Sequence, residues 1–295
     1  DVYKRQALLV LSGASGHRLS QRQSHMALLR LSSVFDAVDV FRMGEHDDWK
    51  SGLLNASVGH ESVIIAGGDG TFNHAIDALA GLENMPTIGF LNAGTLGDVG
   101  RSFGIGRGIE SGLRIIERGQ TMKVDIVKIN ESHFVYMAAI GAYSDIAYRA
   151  PKSLKRLFGR FAYYDLALAE SFKRESIKVR IGFPTGESIE AETPFLLLLN
   201  GKKVGGFSVN RNGSVNDGLL EVFITQKGAF NGLLHYFPRN RIVPIRASDL
   251  TIESDFPGPW CIDGEIGPKG KVRVSVLRSK MTVYCSGEAP YGSFS

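Results

Sequence analysis

The feature that most constrains the fold is a glycine-rich turn at residues 67–71, which read Gly-Gly-Asp-Gly-Thr. A short β-branched run at 62–66 precedes the turn and is typical of a buried strand. After the turn, apolar residues recur at helical spacing from Phe72 to Leu79. The glycines therefore lie between a strand and a helix, where backbone N–H groups and the positive end of the helix dipole attract an anion.

The acid within this turn bears on which anion the turn would bind. Three glycines allow a phosphate to approach the backbone closely, and they tolerate positive φ. The Asp69 carboxylate is not a direct partner for a phosphate, but it fits if a metal ion or an ordered water lies between the two. The turn therefore predicts a site for a nucleotide polyphosphate together with Mg²⁺.

The first half of the chain alternates strands with helices, which predicts a parallel α/β sheet. The predicted strands are 7–11, 36–41, 62–66 and 86–91, and a helix is predicted at 105–118. Small-residue loops follow three of these strands. In an open α/β sheet such loops gather at the carboxyl edge, where ligands bind. We therefore predict an α/β nucleotide-binding domain over residues 7–122.

The pattern changes to short strands after this domain. Apart from a helix near 153–174, strands are predicted at 123–129, 133–140, 176–183, 195–199, 219–225, 247–253, 271–277 and 281–284. Many short strands separated by turns are typical of antiparallel β-structure. We therefore predict a second, mostly β domain over residues 123–285, an antiparallel β-sandwich.

Composition excludes several classes of protein. The chain is 43% hydrophobic and 22% charged, and no apolar run approaches the ~20 residues that cross a bilayer. Cys261 and Cys285 are too few for a disulfide framework or a four-cysteine zinc site, which favours reduced thiols in a cytoplasm. A net charge of +4 does not demand a nucleic-acid partner. We interpret residues 1–6, which do not begin with Met, as a fragment edge or a foreign junction, and we expect them to lie outside the fold.

Other turns combine an acid with glycine. Residues 94–98 read Gly-Thr-Leu-Gly-Asp and follow a predicted strand, and Asp-Gly pairs stand at 217–218 and 263–264. Because Asp-Gly is common in β-turns, either pair taken singly indicates no more than a turn. The chain has no GxxxxGK[ST] motif and is not a P-loop NTPase.

Taken together, these motifs resemble one family. Their order and spacing are similar to those of the diacylglycerol kinase catalytic-domain family, on four segments: 67–71, 94–98, 217–219 and 263–265. That family includes the soluble bacterial diacylglycerol kinases, which this chain resembles in particular, and the sphingosine and ceramide kinases. The resemblance covers residues 7–285 and implies a two-domain fold shared with NAD kinases and 6-phosphofructokinases.

The resemblance implies an ATP- and Mg²⁺-dependent lipid kinase that phosphorylates diacylglycerol, or a related lipid, to phosphatidic acid. Asp263 would be the general base that takes the proton of the lipid hydroxyl, and Glu265 would support it or the metal. Asp217 and the Leu219 carbonyl would hold a separate structural metal. The residues that would bind ATP are Gly67, Gly68, Asp69, Gly70, Thr71, Gly94, Thr95 and Asp98. The acids of the catalytic metal network would be Asp69, Asp98 and Asp125.

Three positions depart from the family's pattern, all on the nucleotide side. Ser12 begins the first loop where Asn is usual, His74 stands where Glu is usual, and Gly97 stands where the second loop carries Asn. These departures keep open a non-catalytic lipid- or nucleotide-binding relative. An NAD kinase, which shares Gly-Gly-Asp-Gly, is another alternative. The loop at 94–98 and the spacing to Asp263 favour the lipid enzymes over it.

A basic amphipathic segment at 149–164 offers a route to a membrane-bound substrate. Residues 149–160 contain five basic residues and no acid, and the apolar residues 154, 157, 158 and 161 share one helical face. Such a segment can lie on an anionic bilayer. The alternative is a solvated helix whose apolar face packs on the protein. We expect a lipid substrate at the inner membrane face, peripheral contact through this segment, and no nucleic acid; a homodimer stays open.

Overall fold

The structure is a computed structural model that describes residues 5–13, 19–44, 48–94, 97–106, 108–141, 176–204, 207–208, 210, 213–224 and 244–287. The chain forms two compact units. The first comprises the described residues up to Val124 and those from Ser279 onward, and the second is 125–278.

The first unit alternates strands and helices. Its elements are β1 (Gln6–Leu11), α1 (Gln21–Leu31), β2 (Ala37–Arg42), α2 (Trp49–Ser57), β3 (Ser62–Gly67), α3 (Asp69–Leu79), β4 (Thr87–Asn92), α4 (Asp98–Ser102), α5 (Ile109–Arg118) and the start of β5 (Thr121–Ile129). The first four strands pair in parallel in the order β2-β1-β3-β4. The predicted parallel α/β sheet is confirmed.

Burial explains why this sheet is parallel. All six residues of β3 are buried, so both faces of the strand are covered, as in α/β proteins generally. Helix α5 packs closely on β4, because a Cβ on Gly112 would lie 2.3 Å from the carbonyl oxygen of Phe90. Helix α3 places Phe72 against Phe90, with ring centroids 4.8 Å apart. The core therefore holds the helices that follow β3 and β4 firmly against the sheet.

The second unit is antiparallel β-structure. Its strands are the rest of β5, β6 (Ser132–Phe134), β7 (Met137–Gly141), β8 (Ile177–Gly182), β9 (Ser188–Thr193), β10 (Phe195–Leu199), β11 (Lys203–Val204), β12 (Phe207–Ser208), β13 (Leu220–Ile224), β14 (Ile245–Ala247), β15 (Asp249–Ser254), β16 (Pro259–Ile262), β17 (Glu265–Lys269) and the start of β18 (Val272–Tyr284). One sheet has the order β18-β15-β8-β9, with β5 beside β18 and β6 beside β5. The other has the order β14-β13-β10-β7-β16-β17, and β11 pairs with β12.

Strand β10 shows how the core of this unit is built. Its residues Leu196 and Leu198 join a cluster that also contains Trp260 of the same sheet and Val274 of the other sheet. The alternate residues face the opposite side of the strand and join a smaller buried cluster, which contains Phe195, Leu197, Leu199 and Phe223. The strand is therefore apolar throughout because both of its faces are buried. The predicted antiparallel β domain is confirmed.

The prediction of a single strand at 133–140 is wrong. The segment forms two strands in different sheets, β6 and β7, separated at Val135 and Tyr136. The backbone N–H of Val135 donates to a side chain, the Asp263 carboxylate, instead of to a neighbouring strand. The predicted strand at 247–253 likewise divides, because Ser248 separates β14 from β15, which lie in different sheets.

The two predicted strands at 271–277 and 281–284 are in fact one, the 13-residue β18. Its polar centre suggested a break, but the strand continues through Ser279, at φ 52°. The second domain was predicted to extend to residue 285, whereas the residues from Ser279 onward belong to the first unit. Val283 pairs in parallel with Ile88 of β4, which accounts for this assignment.

Two predictions concern the membrane and the thiols. Across the described segments, no helix is long and apolar enough to cross a membrane. The basic segment predicted at 149–164 lies outside the described residues. Cys261 and Cys285 are both buried thiols, as the sequence predicted.

Candidate functional site

The glycine-rich turn lies between β3 and α3, as predicted. Gly68 is the N-cap residue of α3 and no side chain caps this end, so backbone N–H groups of the first turn point out of the helix. A Cβ on Gly67 would lie 2.6 Å from the Thr71 hydroxyl oxygen, so this position needs glycine for Thr71 to fold back over the turn. Asp69 is half-buried at the first position of the helix. The arrangement suits a phosphate group.

The loop after β4 meets this turn at backbone level. Strands β3 and β4 end side by side, with Gly67 paired to Asn92. The N–H of Ala93 donates to the Gly67 carbonyl at 2.8 Å. A Cβ on Gly94 would lie 2.8 Å from the Gly68 Cα, so only a glycine lets the two loops come this close. The structure therefore brings together the two loops that the sequence assigned to the nucleotide.

The side chain of Asn92 explains one departure from the family pattern. Asn92 is buried, and its Oδ1 accepts the N–H of Gly94 at 3.0 Å. Gly97 caps α4 in the left-handed region, at φ 64°. A Cβ on Gly97 would lie 2.1 Å from the Asn92 Nδ2. The space for an Asn side chain at 97 is therefore already filled by the amide of Asn92.

The remaining nucleotide-side residues are placed as follows. Ser12 is buried, and its N–H donates to the Ala66 carbonyl at 3.1 Å. His74 is exposed on α3, edge-on to the Trp49 ring at 6.0 Å between centroids. Thr95 and the side chain of Asp98 lie outside the described part of the chain. Of the predicted metal ligands in this unit, Asp69 therefore supplies the one described carboxylate, a hard oxygen donor of the kind Mg²⁺ prefers.

In the second unit, Asp263 occupies the two-residue turn between β16 and β17. Asp263 and Gly264 both have positive φ, 49° and 91°, as a tight hairpin turn requires. The Asp263 carboxylate accepts two backbone N–H groups, from Met137 to Oδ1 at 2.8 Å and from Val135 to Oδ2 at 3.1 Å. Its own N–H donates to the Met137 carbonyl at 2.8 Å. These bonds fix the orientation of the carboxylate.

Glu265 is two residues further on and differs in its surroundings. It is exposed at the start of β17. Within the described segments its side chain forms no hydrogen bond or ion pair, and it does not contact the Asp263 carboxylate by a hydrogen bond. Its predicted role as a partner of the base or of the metal stays a prediction.

Asp125 is fully buried and holds another predicted turn. Its Oδ2 accepts the N–H of Gly218 at 2.6 Å, and its N–H donates to the Val215 carbonyl at 2.7 Å. Asp125 is therefore bound to the segment that contains Asp217 and Leu219. The structure joins these predicted acids within one unit, through the backbone of the turn.

The carboxylate of Asp217 is already occupied. Its Oδ1 accepts the N–H of Leu219 at 3.1 Å, and its Oδ2 accepts a hydrogen bond from Arg246. Arg246 also lies 3.3 Å from the buried carboxylate of Glu221, whose pKa is raised to about 7 by burial, against the opposing effects of Asn210 and Arg246. The Arg246 guanidinium thus supplies the positive charge beside the Asp217 and Glu221 carboxylates. A metal ion at Asp217 stays a prediction, and it would have to displace Arg246.

The family model described as "Diacylglycerol kinase catalytic domain" matches residues 6–129 of this chain. A diacylglycerol kinase of Staphylococcus carnosus (strain TM300) is 26% identical over 292 residues, which cover 95% of each chain. Over residues 6–129 the chain matches the diacylglycerol kinase catalytic-domain family, and its similarity to curated diacylglycerol kinases supports that family. Another relative in the family, a diacylglycerol kinase of Staphylococcus aureus (strain JH9), is 27% identical over 90% of this chain and 88% of its own length.

Solved structures agree with this assignment at the level of the fold. A diacylglycerol kinase from Bacillus anthracis str. Sterne superposes with a TM-score of 0.78 at 22% identity, covering 96% of this chain and 98% of that one. A yeast NADH kinase superposes with a TM-score of 0.52 at 12% identity, covering 96% and 83%. The fold that the diacylglycerol kinase family shares with NAD kinases, expected from the sequence, is confirmed. The family match and the curated relatives support a lipid kinase of the diacylglycerol kinase type.

Sequence reasoning missed the residues that support the predicted site. Asn92, Asn200 and Arg246 carry no motif, although Asn92 and Asn200 share a signal. Each is a polar residue directly at the end of an apolar strand, and each is buried. A polar side chain buried at a strand end must find a hydrogen-bond partner, and that requirement is the signal the sequence offered.

Proposed function

We propose that the protein transfers the γ-phosphoryl group of ATP, with Mg²⁺, to the hydroxyl of diacylglycerol and so forms phosphatidic acid. The observation that carries this proposal is the backbone contact between the two nucleotide loops, at Gly68 and Gly94. Two loops this close at neighbouring strand ends suit a chain of phosphates better than a single anion. The relatives named as diacylglycerol kinases support diacylglycerol as the acceptor.

The first unit would bind the nucleotide. Amide groups at the start of α3 and the Thr71 hydroxyl would contact the phosphates. Asp69 and Asp98 would hold Mg²⁺, which supplies charge neutralisation when it is bound. Phosphoryl transfer depends mainly on positioning and on charge stabilisation. The two loops would supply the positioning.

Asp263 would accept the proton of the lipid hydroxyl. Its carboxylate is oriented by the N–H groups of Val135 and Met137 before any substrate binds. A general base held in one orientation is typically worth ~10²–10⁴ in rate. Asp125 would support the site through its bond to Gly218, and Glu265 would assist the base.

The proposal is tested by incubating the purified chain with radiolabelled ATP, Mg²⁺ and separate acceptors. The acceptors are diacylglycerol, sphingosine, ceramide and NAD. We expect label in phosphatidic acid and none in NADP. Label in NADP alone would identify an NAD kinase. If no acceptor is labelled and calorimetry detects no Mg·ATP binding, the chain is a non-catalytic relative.

The lipid would be reached from the membrane surface through the basic segment at 149–164, which we propose as a peripheral contact with the inner membrane face. Each basic residue near an anionic surface contributes ~1 kcal/mol. Sedimentation with vesicles containing phosphatidylglycerol, compared with vesicles of phosphatidylcholine alone, measures this binding. We expect replacement of Lys152, Lys155 and Arg156 by Gln to abolish the preference for anionic vesicles. An unchanged preference would place the contact elsewhere.

A further inference from the structure

Asn200 lies directly after β10, is 3% exposed and bridges two parts of the second unit. Its side-chain Nδ2 donates to the backbone carbonyls of Asp125 and Val135, at 3.1 Å each. Its own backbone N–H donates to the Tyr136 carbonyl at 3.0 Å. One residue therefore makes three hydrogen bonds to two segments that are distant from it in sequence.

The orientation of this amide is determined by its partners. If the two ends of the amide were exchanged, Oδ1 would face two carbonyl oxygens and all three groups would be acceptors. In the observed orientation Oδ1 is buried and finds no partner within the described part of the chain. A buried acceptor without a partner is destabilising. The Nδ2 donor group of Asn200 is therefore what this position requires, and a side chain that is merely polar would not replace it.

The segment that Asn200 holds is the one that orients Asp263. Val135 and Met137 donate their N–H groups to the Asp263 carboxylate, at 3.1 and 2.8 Å. Asn200 binds the carbonyl of Val135 and the carbonyl of Tyr136, which lies between the two donors. Asn200 thus binds carbonyl groups of this short stretch of backbone. The N–H groups of the same stretch hold the Asp263 carboxylate.

We propose that Asn200 is a positioning residue for Asp263, an inference that rests on the proposed role of Asp263 as the general base. Asn200 does not contact the carboxylate itself. It holds residues 135–136 so that the N–H groups of Val135 and Met137 stay aimed at the two carboxylate oxygens. Without the Asn200 side chain the bond to the Val135 carbonyl is lost while the backbone bond to Tyr136 remains, so the segment gains freedom and the carboxylate is held less firmly.

The first test measures the segment directly. In Asn200→Ala, hydrogen exchange of the Val135 and Met137 amides is expected to become at least about tenfold faster. The matched control is Asn210→Ala. Asn210 is also buried, and the partners of its two N–H donor groups lie outside residues 135–137: its Nδ2 donates to the Gly201 carbonyl and its backbone N–H donates to the Lys202 carbonyl, at 3.1 Å each. The control should leave the exchange of both amides unchanged. Equal exchange in wild type and Asn200→Ala would overturn the proposal.

The second test separates positioning from stability by a double-mutant cycle on kcat. Asn200→Ala alone is expected to lower kcat by about 10- to 100-fold with KM for ATP changed less than about twofold. In the Asp263→Asn background the same change should have almost no further effect, because a residue that acts through Asp263 has nothing left to orient. Asn210→Ala should leave kcat at the wild-type value in both backgrounds.

The possible outcomes are distinct. If Asn200→Ala lowers kcat equally in both backgrounds, Asn200 does not act through Asp263 and the positioning role is overturned, while the role of Asp263 stands. If Asp263→Asn alone retains wild-type turnover, the assignment of the base fails, and the positioning role fails with it. If Asn200→Ala does not fold, Asn200→Ser, which retains one donor, is measured in its place with the same expectations.

Discussion

The nucleotide loops of the first unit and the Asp263 region of the second unit are built in different ways. The loops consist of backbone and glycine: the decisive contact joins Gly68 to Gly94, which lie one and two residues beyond the ends of the paired strands β3 and β4. The Asp263 region consists of polar side chains bonded to backbone far along the chain, such as Asp263 to Val135. The nucleotide loops depend on the close approach of two backbone segments, and the Asp263 region depends on hydrogen bonds between side chains and backbone.

This difference predicts how each region should fail. Adding a single Cβ should damage the loops, since there is no room for it, whereas removing a side chain should damage the Asp263 region, since its bonds would be lost. The first kind of change should act on nucleotide binding. The second should act on turnover and on stability.

The largest effect is expected for Asp263→Asn, which removes the proposed base. We expect kcat to fall by ~10²–10⁴. Stability should fall by only about 1 kcal/mol, since one of the two N–H bonds to the carboxylate is lost. Initial rates and thermal melts measure these effects. Asp255→Asn is the control, because Asp255 also accepts a backbone N–H, from Lys178 at 2.8 Å, and should retain full turnover. Substantial turnover by Asp263→Asn would show that the base is another group.

The buried carboxyl of Glu221 should make the stability of the protein depend on pH. Its pKa in the folded protein, raised to about 7 by burial, lies above the ordinary glutamate value of 4.5. The folded state therefore holds this proton more tightly, so the stabilisation is complete below pH 4.5 and is lost as the pH rises through 7. Over this window the loss amounts to at most about 3 kcal/mol.

Glu221→Gln, which stays neutral, should remove this part of the pH dependence. Urea unfolding at pH 5 and at pH 8 measures it for both proteins. Glu131→Gln serves as the control, because the Glu131 side chain is 95% exposed and should leave the pH dependence unchanged. If the free energy of unfolding changed equally between pH 5 and pH 8 in wild type and in Glu221→Gln, Glu221 would be ionised in the folded protein over this whole range.

In the nucleotide loops, Gly94→Ala should weaken binding of ATP. The new Cβ would lie 2.8 Å from the Gly68 Cα, and backbone cannot yield as the end of a side chain can. Overpacking of this kind costs about 1–3 kcal/mol, and we expect at least about a tenfold rise in KM for ATP. Gly81→Ala is the control, since a Cβ there meets nothing within 4 Å. An unchanged KM for Gly94→Ala would contradict the assignment of this loop to the nucleotide.

The smallest effect is expected on removing metal ions in the absence of ATP. Because Arg246 already supplies the positive charge beside Asp217, EDTA should shift Tm by less than about 1 °C. Thermal melts in EDTA, Mg²⁺ and Ca²⁺ check this. A rise in Tm with either cation that is absent in Asp217→Asn would instead support the structural metal that the family resemblance implies.

The sequence predicted the first region better than the second. Strands β1, β3 and β4 lie within a residue or so of their predicted positions, and both nucleotide loops lie where their glycine motifs indicated. In the second unit β10 agrees at both ends, but the predicted strand at 133–140 divides. It divides because Asp263, which is 128 residues from Val135, accepts an N–H that local pattern assigns to a strand ladder.

Local chemistry in the sequence was sufficient to determine the strand–glycine–helix turn at 67–71 and the alternation of elements in the first unit. These depend on neighbouring residues, whose spacing reveals their conformation. Only the tertiary structure decided that Asn200 joins Asp125 to the segment that holds Asp263, and that Arg246 neutralises Asp217. Such bonds depend on which strands lie side by side, and strand order leaves no local mark on the residues that it brings together.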